Sequence, residues 1–69
     1  MELIDTGKCL IEAQNNKGVN SRQLANIAKT SPQQVLRWRK SKNLKIHTIQ
    51  LICLSLNITI DDFITFNYK

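Results

Sequence analysis

A chain of 69 residues has room for one hydrophobic core, so we expect a single domain over residues 1–69. Its net charge is +5. Hydrophobic residues make up 42% of the sequence and charged residues 22%, a balance that excludes a disordered chain, and no apolar run reaches the roughly 18 residues of a membrane span. Glu2 and Asp5 stand where a secretory signal would be basic, so we expect a cytoplasmic protein with no membrane partner. The spacing of Cys9, Cys53 and one histidine matches neither a disulfide framework nor a zinc site, and no metal, cofactor or small-molecule ligand is expected.

The positive charge is concentrated in the middle of the chain. Eight Lys or Arg residues lie between Ala13 and Ile60, and no Asp or Glu lies there. Such a basic block attracts phosphate, either from a nucleic acid or from an anionic membrane surface. A merely solvated basic surface is the alternative.

Helical periodicity predicts an all-α protein, a compact bundle of about five short helices. The first helix is expected from about Glu2 to Asn15, after which Lys17 and Gly18 interrupt the pattern. Its apolar residues fall on one side and Cys9 falls on the other, so we expect an exposed Cys9 thiol.

The second helix is predicted from about Ser21 to Ala28. Asn20 is a good N-cap for it, and Gln23, three residues later, can return a hydrogen bond to the cap. The residues expected on its buried side are Leu24, Ile27 and Ala28.

The strongest local signal is the start of a third helix. Ser31 can cap it, and Pro32 has the fixed φ that suits the first helical position. Because only Lys29 and Thr30 separate this helix from the second, the two must meet at a steep angle, as in a helix-turn-helix unit over about residues 20–40. Lys29 stands where such a turn often has Gly.

Two more helices are predicted before the C-terminus. The fourth spans about residues 46–56, and the residues on its apolar side are Ile46, Ile49, Ile52, Cys53 and Leu56. The fifth begins after Thr59, whose hydroxyl can cap it, and the residues that close the core are Ile60, Phe63 and Ile64. Residues 65–69 are ambiguous, because apolar and polar residues alternate there as in a short extended strand.

The third helix carries a candidate recognition surface opposite its core residues, Val35 and Trp38. The side chains on this surface are those of Gln33, Leu36, Arg37 and Lys40. A helix fits the major groove of DNA, where Gln can form paired hydrogen bonds with adenine and Arg with guanine. We therefore take Gln33 and Arg37 as the base readers, with a solvated helix face as the alternative.

Groups suited to phosphate flank this surface. They lie at the start of the second helix and in the basic segment that follows the third, and they comprise Asn20, Ser21, Arg22, Arg39, Lys40, Lys42, Asn43 and Lys45. Backbone amides at a helix N-terminus, polar side chains and lysines bind phosphate oxygens without reading sequence. These residues would set affinity and register.

Over about residues 15–64 the chain resembles the Cro/C1-type helix-turn-helix family, which includes phage Cro proteins and the DNA-binding domains of phage repressors. The resemblance lies in three segments, NSRQLA at 20–25, SPQQVLRW at 31–38 and LNITIDDFI at 56–64. It implies that Ser21 touches phosphate, that Asn43 approaches the DNA backbone, and that Ser31, Pro32, Gln33 and Arg37 face the major groove. Leu36, from the outer face of the third helix, completes the predicted base-reading set. Three departures stand out: Pro32 replaces a frequent polar base contact, Ser41 a frequent Gly, and Leu44-Lys45 the usual Pro-Ser before the fourth helix.

One recognition helix reads few base pairs, so proteins of this geometry usually bind as two-fold dimers. The apolar residues expected to form a small, weak dimer contact are Leu54, Ile58, Phe66 and Tyr68. The leading hypothesis is a Cro-like phage or prophage repressor that occupies an operator on double-stranded DNA. The alternatives are an antitoxin or host regulator of the same fold, and a protein-interaction module or antirepressor that does not bind DNA. An enzyme is not expected, because the sequence has no catalytic constellation.

Overall fold

The computed structural model describes residues 3–68, which form five α-helices and one short 3-10 helix. The elements are α1 (Thr6–Lys17), α2 (Ser21–Ala28), α3 (Pro32–Lys40), α4 (Ile46–Leu56), α5 (Ile60–Thr65) and a C-terminal 3-10 helix (Phe66–Tyr68). No strand occurs within residues 3–68. The predicted all-α fold of about five short helices is confirmed.

The first helix begins later than predicted. Asp5 has an extended backbone, with φ −88° and ψ 99°, and its side chain accepts a hydrogen bond of 3.1 Å from the Lys8 backbone N–H. Asp5 is therefore the N-cap, which the apolar pattern of the preceding residues had concealed. Gly18 then ends α1 in the left-handed conformation, with φ 66°. Glu2, the predicted start, lies outside the described residues.

The core lies where the helices converge on α1. Each helix contributes a fully buried side chain, and these are Leu10, Leu24, Val35, Ile52 and Phe63. Trp38 is also buried among them, as predicted. This arrangement fixes α3 by its inner face and leaves its outer face to solvent.

Three core predictions are wrong. Cys9 is fully buried rather than exposed, because α3, α4, α5 and the 3-10 helix all pack on α1 and leave it little free surface. Ile27 is 52% exposed, since α2 packs mainly on α3 and α4 and buries Leu24, Ala25 and Ala28 instead. Ile46 is 62% exposed because it is the first residue of α4 and lies at the edge of the core.

The C-terminal segment is helical rather than extended. Phe66 begins the 3-10 helix and is buried in the core, so its side chain is not available to the dimer surface that the sequence suggested. Asn67 joins this segment to the start of α1, since its Oδ1 accepts from the Asp5 backbone N–H at 3.0 Å and its carbonyl oxygen from Lys8 Nζ at 3.3 Å. The short strand that the sequence left open for residues 65–69 does not form in the part described, and Lys69 lies outside that part.

Within residues 3–68, no single helix has the length and apolar character needed to cross a membrane. By length and composition alone, only α4 taken together with Ile60–Tyr68, a pair bent by 101°, meets that requirement.

Candidate nucleic-acid interface

The helix-turn-helix unit begins with a complete capping box. Asn20 Oδ1 accepts from the Gln23 backbone N–H at 2.8 Å, and Gln23 Oε1 accepts from the Asn20 backbone N–H at 2.9 Å. These reciprocal bonds confirm the predicted start of α2 at Ser21. They also occupy the side-chain oxygen of Asn20, Oδ1, so the side-chain N–H groups are the part of Asn20 that can reach a phosphate.

The turn between α2 and α3 depends on Lys29. This residue has a left-handed backbone, with φ 58° and ψ 46°, the conformation that glycine adopts most easily. Lys29 is the C-cap at which α2 ends, and the Thr30 backbone N–H donates to the Ala25 carbonyl oxygen at 2.8 Å. α3 then starts as predicted, because Ser31 Oγ accepts from the Gln34 backbone N–H at 3.2 Å and Pro32 occupies the first helical position.

The outer face of α3 is open to solvent. The predicted base-reading residues Ser31, Pro32, Gln33, Leu36 and Arg37 are all exposed. Leu36 is a large apolar side chain on this face, and in the sequence it lies between Gln33, which has an amide group, and Arg37, which has a guanidinium group. The surface therefore offers hydrogen-bonding groups for base edges together with an apolar contact.

One predicted phosphate ligand has a structural partner that the sequence did not reveal. Arg39 Nη1 donates to Ser21 Oγ at 3.1 Å, which joins the last turn of α3 to the first turn of α2. Arg39 is half-buried, so it serves first to hold the two helices together. Ser21 accepts in this bond and keeps its own hydroxyl proton for a phosphate oxygen. The remaining predicted phosphate residues, Asn20, Arg22, Lys40, Lys42, Asn43 and Lys45, are all exposed.

The basic loop, defined as Ser41–Lys45, is held by a residue that sequence reasoning missed. Thr6 Oγ1 accepts from the Leu44 backbone N–H at 2.9 Å and donates to the Ser41 carbonyl oxygen at 3.3 Å. Within the loop, the Asn43 backbone N–H donates to Ser41 Oγ at 3.3 Å. Thr6 lies 35 and 38 residues away from its partners, and no local pattern could have identified it.

Two of the departures from the family pattern have a structural explanation. Ser41 has an extended backbone, with φ −85° and ψ 128°, so the end of α3 does not need a glycine here. Lys45 occupies the N-cap of α4 without a side-chain hydrogen bond, so the replacement of Pro-Ser leaves that helix uncapped.

Among the described residues, no group of three or more His, Cys, Asp or Glu side chains could hold a metal ion. The chemistry of this face is that of basic and amide groups around an exposed helix. A short helix, a tight turn and a second helix with an open polar face define a helix-turn-helix DNA-binding protein.

The comparison with protein families agrees with this class. Residues 13–69 match the Cro/C1-type HTH DNA-binding domain, and the chain belongs to that family. The predicted family and the helix-turn-helix are thereby confirmed, and double-stranded DNA is the partner that the family indicates. Comparison with curated proteins and with solved structures finds no significant match.

Proposed function

We propose that this protein is a Cro-like repressor of phage or prophage origin, which binds operator half-sites as a dimer by placing α3 in the major groove. The observation that carries the proposal is the exposed face of α3, with Gln33 and Arg37 flanked by basic residues. A helix of 9 residues is about 14 Å long, and its diameter matches a major groove about 12 Å wide.

Direct readout follows from the spacing of the two base readers. Gln33 and Arg37 are four residues apart, so they lie on the same side of α3 and about 6 Å apart along its axis. That rise covers about two base-pair steps of about 3.4 Å. Gln33 can form paired hydrogen bonds with an adenine and Arg37 with a guanine, while Leu36 can contact a thymine methyl group.

A two-fold dimer is supported by the surface at the C-terminal end of α4. Leu54 is 81% exposed beside a groove of about 390 Å³ lined by Gln50, Cys53, Leu54, Ile58 and Ile60. In an isologous contact, Leu54 of each copy would enter the groove of the other. Tyr68 is exposed and remains a candidate for the dimer contact, which we expect to be weak and to assemble fully on DNA.

The test is a binding titration at two salt concentrations. Wild type is titrated with a duplex that carries the sequence upstream of its own gene and with a random duplex of equal length. Wild type should prefer the first duplex, and Arg37→Ala should lose about 5- to 150-fold of that preference, the equivalent of one bidentate base contact worth about 1–3 kcal/mol. The salt dependence of Arg37→Ala should stay close to that of wild type, because Arg37 reads bases.

Arg22→Ala is the matched control. Arg22 is also exposed but stands at the start of α2, among the predicted phosphate ligands. Its loss should weaken binding to both duplexes alike and lower the salt slope by about one. Weak binding to both duplexes that does not change in Arg37→Ala would contradict the proposal and favour the protein-interaction module.

A further inference from the structure

The basic loop (Ser41–Lys45) is held in place by α1. The Thr6 hydroxyl bridges two points of the loop, since it donates to the Ser41 carbonyl oxygen and accepts from the Leu44 backbone N–H. Thr6 is only 8% exposed, so water does not compete freely for either bond. Between the two bridged points lie Lys42 and Asn43, both exposed.

Gly7 permits this close approach of α1. A Cβ atom at Gly7 would lie 2.6 Å from the Ser41 carbonyl oxygen and closer still to that of Arg39. Both neighbours are backbone atoms, which cannot rotate away. The first turn of α1 therefore touches the end of α3 and the start of the basic loop directly, and Thr6 is placed against the loop by that contact.

The same contact fixes the loop relative to α3. Ser41 is the C-cap of α3, and its backbone N–H donates to the Trp38 carbonyl oxygen at 3.2 Å. Trp38 is buried in the core, so this end of α3 cannot shift without disturbing the core. The loop thus has a defined position with respect to the face that carries the base readers.

We propose that Thr6 is a positioning residue for DNA binding, which preorganises the basic loop so that Lys42 meets a phosphate while α3 lies in the groove. This inference rests on the proposed function. Ordering a flexible loop on binding costs conformational entropy, and a loop already held by its backbone avoids that cost. The Thr6 side chain acts through Lys42 and Asn43 and does not itself touch DNA.

The test compares Thr6→Val with Thr6→Ser and with Thr65→Val. Valine has nearly the shape of threonine but neither accepts from Leu44 nor donates to Ser41, whereas serine keeps the hydroxyl. Thr65 is the matched control, because its hydroxyl donates only to the Asp61 carbonyl oxygen of its own helix, at 2.8 Å. Each variant is first shown to be folded at the assay temperature by Trp38 fluorescence.

Binding to a random duplex is then measured as a function of salt. Thr6→Val should lower the salt slope by about one, so that the loss of affinity between about 50 and 200 mM salt becomes about fourfold smaller than in wild type. Thr6→Ser and Thr65→Val should retain the wild-type slope. The preference for the upstream duplex should persist in Thr6→Val, because Gln33 and Arg37 are untouched.

Lys42→Ala makes the test specific. If Thr6 acts through Lys42, the double variant Thr6→Val/Lys42→Ala has the same salt slope as Lys42→Ala alone, whereas independent effects would add. Additive losses would overturn the proposal, and so would a Thr6→Val slope equal to that of Thr65→Val. A Thr6→Ser variant that behaves like Thr6→Val would also overturn it, since the hydroxyl would then be irrelevant.

Hydrogen exchange provides a measurement that needs no variant. The Leu44 amide should exchange much more slowly than the amide of an exposed loop residue, because its N–H donates a hydrogen bond to the buried Thr6 Oγ1. Exchange at the random-coil rate would show that the loop is not held and would overturn the proposal. Failure of wild type to bind any duplex would instead refute the proposed function, and this inference with it, even if the Leu44 amide is protected.

Discussion

Replacement of Lys29 by glycine should stabilise the helix-turn-helix. Lys29 has φ 58° and ψ 46°, and this left-handed conformation costs an L-residue about 1–2 kcal/mol. Glycine adopts this conformation freely, but it also gives the unfolded chain more conformational entropy, which reduces the gain in the free energy of unfolding by about 0.5–1 kcal/mol. Lys29 is exposed, and its backbone N–H caps α2 through the carbonyl oxygens of Ala25 and Asn26, bonds that glycine would keep. The net expectation for Lys29→Gly is a gain of about 0.5–1 kcal/mol in the free energy of unfolding.

Thermal and urea unfolding, followed by the fluorescence of the buried Trp38, measure this gain. For a domain of this size the midpoint temperature should rise by about 2–8 °C. Lys29→Ala is the matched control, because it removes the same charge and keeps a Cβ atom in the left-handed conformation. Asn57→Gly provides a second comparison at φ 57° and ψ 48°, where the gain should be smaller because Asn tolerates this conformation better than Lys.

Equal stability of Lys29→Gly and Lys29→Ala would contradict this expectation. The backbone conformation would then contribute nothing, and any change from wild type would come from the lost charge. A gain in Asn57→Gly as large as that in Lys29→Gly would count against the same argument.

Three further predictions concern α4, the dimer and the two thiols. Lys45→Ser should give α4 the side-chain cap that it lacks and raise the free energy of unfolding by about 1 kcal/mol, measured by urea unfolding; no change would show that the cap cannot form. Leu54→Glu should abolish self-association in sedimentation experiments and weaken operator binding, and unchanged behaviour in both assays would refute the dimer contact. Burial, and to a smaller extent the charge of Asp5, raises the pKa of the Cys9 thiol, and burial raises the pKa of Cys53. The folded state then keeps protons that the unfolded chain releases, so the free energy of unfolding should be unaffected below about pH 8.5 and fall as the pH rises above it. Urea titrations across that range test this, and the fall should be absent from a Cys9→Ala/Cys53→Ala variant.

Helix boundaries were predictable where a local cap sets them. Asn20, Ser31 and Thr59 each cap a helix that begins where the sequence predicts, because capping needs only residues within one turn. The start of α1 is also set by a local cap, Asp5, but the prediction missed it. Apolar residues before Asp5 fit the helical period, and the extended backbone and side-chain hydrogen bond of Asp5 show that the helix begins after it.

Burial was predicted correctly for α3 and less well for the central helix, α1. α3 packs through one stripe, so the sequence correctly separates Trp38 from the exposed face that carries Arg37. α1 is covered from several sides, and a single-stripe argument therefore misplaces Cys9. The alternation that suggested a strand after Thr65 also misled, because Phe66 enters the core and the tail closes on α1.

The least predictable part of the interface is the set of contacts that hold it. Candidate ligands could be chosen by residue type and helical spacing, since Gln33 and Arg37 lie one turn apart on an exposed helix. The bond from Arg39 to Ser21 and the bonds from Thr6 to the basic loop join residues between 18 and 38 positions apart. Such pairs follow from how the helices pack, which no local pattern records.

The position of the basic loop depends on both ends of the chain. Thr6 and Gly7, which contact the loop, precede the matched family region at 13–69. The first turn of α1 is in turn joined to the C-terminal 3-10 helix, because Asn67 Oδ1 accepts from the Asp5 backbone N–H. A series of contacts therefore runs from Asn67 through Asp5 and Thr6 to the basic loop, which it reaches at Ser41 and Leu44. The exposed face of α3 is formed within the helix-turn-helix, whereas the loop beside it is placed by residues before and after that unit. Under the proposed function, sequence preference and phosphate affinity can therefore change independently.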